Sequence, residues 1–133
     1  MFDFALAKAQ HHIWNLKLRL FLKNQQSLKE SEVLSPQHCQ LGQWLYSQGL
    51  AEYGHIPEMV ELEQVHAELH QTMQEVIHLK KIGETGAATQ EFLKTYALND
   101  RIAALLDILA AQLSQTAIIP EMELDILAPI EDK

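Results

Sequence analysis

Residues 57–81 read PEMVELEQVHAELHQTMQEVIHLKK. Pro57 opens the stretch as a first-turn proline, a place where the missing N–H would have had no helical partner anyway. Gly83 closes it just beyond Lys81. Between them Met59, Leu62, His66, Leu69, Met73 and Val76 recur in steps of three and four, which draws one stripe along a helix. Such a helix needs apolar partners, and the chain supplies them on both sides. Upstream, Phe4, Ala7, His11, Trp14, Leu18 and Phe21 repeat the spacing and predict a helix over about 2–26. Ser35 as N-cap and Pro36 at the first helical position predict a short helix through Cys39, Leu41, Trp44 and Leu45, closed by Gly49. Downstream, Phe92, Tyr96, Ile102, Leu106, Leu109 and Leu113 predict a helix over about 87–115, with Pro120 blocking its continuation. No run alternates with period two over a length that would build a sheet. The expected fold is all-α: an antiparallel four-helix bundle over residues 1–115, with three long helices and one short helix carrying the cysteine. A non-helical C-terminal tail, acidic and apolar, is expected over 116–133.

The whole chain has 133 residues, enough for one domain with its own core. Its net charge of -8 argues against nucleic acid or an anionic membrane as the main partner. A single cysteine cannot form an internal disulfide. The start, MFDFALAK, lacks a basic segment followed by an apolar one, so no signal peptide is read. The most apolar run, IAALLDILAAQL, is interrupted by Asp107 and is too short to span a bilayer. A soluble, cytoplasmic protein is expected.

Seven histidines against one cysteine is the feature that points to chemistry. A core stripe should be apolar, yet His11 and His66 occupy stripe positions. His70 follows His66 by four residues, so both imidazoles lie on one side of the helix with Cβ atoms about 5–6 Å apart. One such histidine alone is an ordinary core residue with a hydrogen-bond partner. Three on the inward faces of two helices suit ligation of one ion, and Cys39 supplies a fourth donor. Zinc takes thiolate and imidazole in tetrahedral sites. Cys39 is expected in the first turn of the short helix, where the dipole and N–H groups favour a thiolate. His12 points about 100° away from His11 and reads as a flank residue. His38, His55 and His78 lie off the pattern and read as solvated, and Trp14 and Trp44 read as core.

His11-His12-Ile13-Trp14, then Cys39-Gln40-Leu41-Gly42-Gln43-Trp44, then His66-Ala67-Glu68-Leu69-His70 follow one another in an order that resembles the chemoreceptor zinc-binding domain of bacteria. The likeness covers about residues 5–110. It implies a cytoplasmic helical bundle, often a homodimer, that binds one Zn2+ through His11, Cys39, His66 and His70. It also implies a partner, since the family is found attached to chemoreceptors and diguanylate cyclases. The expected function is a sensory or regulatory module of bacterial signal transduction, in chemotaxis or cyclic-di-GMP signalling. Two alternatives stand beside it: a redox sensor for hypochlorous acid acting through the zinc-bound cysteine, and a structural zinc protein that only mediates interactions. No signalling or cyclase domain is read within these 133 residues, and the tail lies outside the family pattern.

Three rivals from other classes fit less well. Glu63-x-x-His66 and Glu75-x-x-His78 have di-iron spacing, but both fall on one helix, about 18 Å apart by rise. Haem explains neither Cys39 nor His70. A zinc hydrolase needs an open position, which four protein donors do not leave, and Glu68 in HAELH is not next to His66. No enzymatic activity is expected. Zinc affinity is expected to fall in acid, as imidazoles near their ordinary pKa of about 6.5 take up protons. Residues 118–130 are expected to lie extended on a hydrophobic groove.

Overall fold

The computed structural model describes residues 2–29, 33 and 35–118, with side chains as far as 113. The described residues are helical and turn, with no strand. Helix α1 spans Phe4–Leu22, α2 Gln40–Trp44, α3 Leu50–Tyr53, α4 Pro57–Lys81 and α5 Thr85–Ile118. A π-helical turn, Leu45–Gly49, joins α2 to α3, so residues 40–53 form one short helical segment. Helices α1 and α4 run parallel, with Lys80 near the end of α4 donating to the Phe21 carbonyl near the end of α1, and α5 runs antiparallel to both. Lys8 meets Asp107 at 2.9 Å and Asn15 donates to Thr95 at 2.7 Å, which sets α1 against α5. Arg101 grips Glu61 with two contacts of 2.6 Å, which registers α4 against α5. The short segment descends between α1 and α4 and serves as the fourth helix.

Local chemistry explains the boundaries. Asp3 caps α1 by accepting from the Leu6 N–H at 2.9 Å. The helix then ends at Leu22, where its stripe ends, rather than at about 26 as expected. Asn24 turns left-handed at φ 61°, and Gln25 N–H returns to the Leu20 carbonyl at 2.9 Å. The same closure ends α4, where Gly83 has φ 86° and Glu84 N–H reaches the Leu79 carbonyl. All six stripe residues of α4 are buried. On α5 the stripe differs at one point. Tyr96 is 43% exposed, and Thr95 and Asn99 take the inward positions instead. The Thr95 hydroxyl satisfies itself against the Phe92 carbonyl and accepts from Asn15, so a polar residue fits the core there. The backbone of α5 continues to Ile118 rather than about Gln115, and Ile118 is the last of the described residues. The rest of the expected tail, 119–133, lies outside the described residues.

The cysteine box departs most from expectation. Ser35 and Pro36 form a turn, not a helix start, and α2 begins at Gln40 with Cys39 as its N-cap. Gly49 does not end the segment. A Cβ there would lie 2.8 Å from the Trp44 ring, so this glycine makes room for the indole. Trp44 stacks on Phe2 and Tyr53 and meets Phe4 edge-on, a core role as expected. Gly42 is more constrained still, because a Cβ would lie 1.5 Å from the Pro36 carbonyl oxygen. Gly42→Ala must therefore displace the turn that carries Cys39. The expected cost is about 2 kcal/mol, the usual scale of overpacking, together with weaker zinc retention. Thermal melting and chelator competition check this; parental values in both would show that the turn yields freely.

Candidate metal centre

Four donors converge from three elements. His11 comes from the middle of α1, Cys39 from the N-cap of α2, and His66 and His70 from successive turns of α4. One ligand atom from each lies within 4.8 Å of every other. The ring centroids of His66 and His70 are 4.5 Å apart, and those of His11 and His66 5.1 Å. A zinc shell with bonds of about 2.0–2.3 Å has edges of roughly 3.3–3.8 Å, so a small contraction would close it. The four residues singled out in the sequence are thus brought together, and the cluster includes no other histidine, aspartate or glutamate among the described residues. His12, His38, His55 and His78 are exposed.

The surroundings suit a metal. His11 lies 5% exposed, and its Nδ1 is 2.8 Å from the Ala7 carbonyl, one turn back. Only an Nδ1–H can donate to that oxygen, which leaves Nε2 as the donor atom for an ion. His66 is fully buried, its Nε2 3.1 Å from Cys39 Sγ and its Nδ1 without a hydrogen-bond partner. A buried polar atom left so costs free energy unless something else engages the ring. Cys39 Sγ accepts from the Gly42 N–H at 3.4 Å, which aims it from the helix start toward His66.

The family model of the chemoreceptor zinc-binding domain matches residues 11–77, half of the chain. The chain belongs to that family. Its matched span begins at His11 and contains Cys39, His66 and His70. No curated protein and no solved structure matches the chain.

In this chemoreceptor zinc-binding domain the donors differ in how ready they are for a metal. Burial, then the neighbouring His70 and His11, lowers His66 to about 2. Burial also lowers His11, against the opposing pull of the Ala7 carbonyl. His66 is therefore neutral well below the pH at which an exposed histidine charges, and His11 is shifted in the same direction. Cys39 goes the other way: burial raises its thiol and outweighs the N–H groups of Gly42 and Leu41. The helix start assists the thiolate, as expected, but does not by itself produce it. A stability prediction follows for the metal-free protein. The unfolded chain protonates His66 as pH falls below about 6.5, while the folded chain does not until far lower. Stability is whole above that pH and declines beneath it, by up to about 1.4 kcal/mol per pH unit for each histidine held neutral. Urea unfolding between pH 7.5 and 5 measures the slope, and a flat profile would contradict a neutral, buried His66.

Some contributors were not legible beforehand. A cavity of about 220 Å³ borders His11, Cys39 and His70, walled by Trp14, Gln10 and Gln40. Trp14 thus lies beside the donors, half-buried under Lys17, rather than wholly in the core. Gln10 donates to Gln40 at 3.0 Å across the gap between α1 and α2. Neither glutamine stands out by residue type or spacing. The di-iron rival gains nothing from the structure: Glu63 accepts from the Tyr46 hydroxyl at 2.7 Å, and Glu75 and His78 are exposed.

Proposed function

We propose that the protein is a zinc-binding regulatory module of bacterial signal transduction, holding one Zn2+ through His11, Cys39, His66 and His70. The observation that carries this reading is the convergence of three imidazoles and one thiol, from elements far apart in sequence, on a single buried point. The family's description adds zinc and chemoreceptors. Zinc supplies no reactive position here, because four protein donors complete a tetrahedral shell. Glu68, the nearest counterpart of a hydrolase base, is exposed and outside the cluster. We therefore assign no catalysis. No helix among the described residues is long and apolar enough to cross a membrane, which accords with the cytoplasmic setting we propose. A homodimer and a chemoreceptor or diguanylate cyclase partner complete the reading, by likeness to the family.

The test is the metal content and optical spectrum of protein purified without added metal. One zinc per chain in a colourless protein is expected; iron, haem absorbance or no metal would overturn the assignment. Proton release gives a second check. The imidazoles of His11 and His66 are already neutral, whereas the Cys39 thiol holds its proton. Zinc binding near pH 7.5 should release about one proton per chain, with affinity rising about tenfold per pH unit until the thiol itself ionises. Calorimetry in buffers of different ionisation enthalpy measures the count.

One observation favours a redox variant of this reading. Cys39 is partly exposed and borders the cavity between α1 and α2, so a small oxidant can reach Sγ. Conversion to sulfenic acid would remove one ligand and loosen the start of the short segment. Zinc release by stoichiometric hypochlorous acid, with sulfenic acid trapped at Cys39, is the expected result for that variant.

A further inference from the structure

Helix α1 carries two apolar stripes. The inner one faces the bundle and holds His11. The outer one, Leu6, Ala9, Ile13, Leu16 and Leu20, also steps by three and four, on the opposite side of the helix. Leu6, Ile13 and Leu16 are 48%, 52% and 45% exposed. A continuous apolar stripe of this kind marks an interaction surface more often than isolated exposed side chains do. Its charge is unusual for this chain. Lys8, Lys17 and Arg19 make α1 basic, with no acidic residue between Phe4 and Leu22, in a protein of net charge -8. Lys17 and Arg19 flank the outer stripe on opposite sides.

We propose that residues 119–133 of the same chain cover this stripe. Their composition complements it: five acidic residues, one lysine, and the apolar Ile119, Met122, Leu124, Ile126, Leu127 and Ile130. Over 121–126 acid and apolar residues alternate strictly. In an extended chain that alternation puts Met122, Leu124 and Ile126 on one side and Glu121, Glu123 and Asp125 on the other. One edge then meets the outer leucines while the other faces Lys17, Arg19 and water. The geometry of attachment agrees. Because α5 runs antiparallel to α1, its last residue, Ile118, lies past the start of α1, by roughly 10 Å on helical rise from the Lys8–Asp107 pair. Two residues on, the sequence places Pro120, a residue that disfavours the continuation of a helix. Travelling back to Leu20 takes roughly 35 Å, and fifteen extended residues reach about 50 Å. A second copy of α1 is a poorer occupant, since it would set basic helix against basic helix with no acid to offset the repulsion.

The experiment uses the full chain with the photocrosslinking residue p-benzoylphenylalanine in place of Leu16, which is exposed and outside the metal cluster. Light- and heavy-isotope chains are mixed and irradiated. Links from position 16 into 119–133 within single chains are expected, and Ile126→Lys should reduce their yield several-fold while leaving the zinc content at parental level. Links joining light to heavy chains, or links that avoid 119–133, would overturn the proposal. So would an undiminished yield in Ile126→Lys. None of these results depends on the zinc assignment.

Discussion

Cys39→Ala protein should bind zinc on the order of a hundredfold more weakly than the parent, and His11→Ala, His66→Ala and His70→Ala should each do the same. The magnitude comes from the shell itself. Structural zinc sites contribute about 10–16 kcal/mol, so one donor in four accounts for about 2.5–4 kcal/mol. At about 1.4 kcal/mol per tenfold that is a factor on the order of a hundred. His12→Ala, His38→Ala and His78→Ala provide the contrast. All three side chains are exposed, so their loss should leave affinity unchanged within about threefold. Competition with a chromophoric chelator measures every variant on one scale. Full retention in Cys39→Ala would remove the thiol from the site, and a large loss in His12→Ala would move the site along α1.

Chelation of zinc from the intact protein should lower its melting midpoint by on the order of 10 °C without abolishing the fold. Zinc at about a thousand times its dissociation constant adds about 4 kcal/mol to stability. A domain of this size shifts by about 3–4 °C per kcal/mol. Residual folding is expected because the core does not depend on the ion. Leu18, Leu62, Leu69, Leu105 and Leu109 have no exposed surface, and each fully buried leucine contributes about 2 kcal/mol. This separates the bundle from small zinc modules that unfold when stripped. Scanning calorimetry with and without chelator gives the number, and coincident transitions would show that no metal stabilises this chain.

The sequence made the ligands and α4 readable for a simple reason. Pro57 and Gly83 act through the backbone alone, and a histidine in an apolar stripe conflicts with its neighbours in a way only a partner resolves. The errors arose where tertiary contacts overrule residue type. Tyr96 counts as apolar and Thr95 does not, yet Thr95 is buried because Asn15 reaches it from another helix. Ser35 and Pro36 carry the usual marks of a helix start, but the Cys39 sulfur caps the helix four residues later. Thiols are rarely read as caps. Gly42 and Gly49 look like punctuation, whereas a carbonyl oxygen and an indole ring occupy the space where side chains would be. No local pattern reports such steric facts.

The placement of the donors has a topological consequence. Between His11 and Cys39, and again between Cys39 and His66, the chain makes two loops of nearly equal length. An ion held by all three segments pins both loops at one point, as a pair of covalent staples would. By loop-closure reasoning each pin removes on the order of 3 kcal/mol of chain entropy from the unfolded ensemble. The region that gains most is the one between α1 and α4, which has the least helix of its own to hold it. Without the ion, residues 23–53 can detach while α4 and α5 stay paired, so their amides should exchange with solvent far ahead of the rest. With the ion in place that partial opening would have to break the shell, and the bundle should exchange as a single cooperative unit.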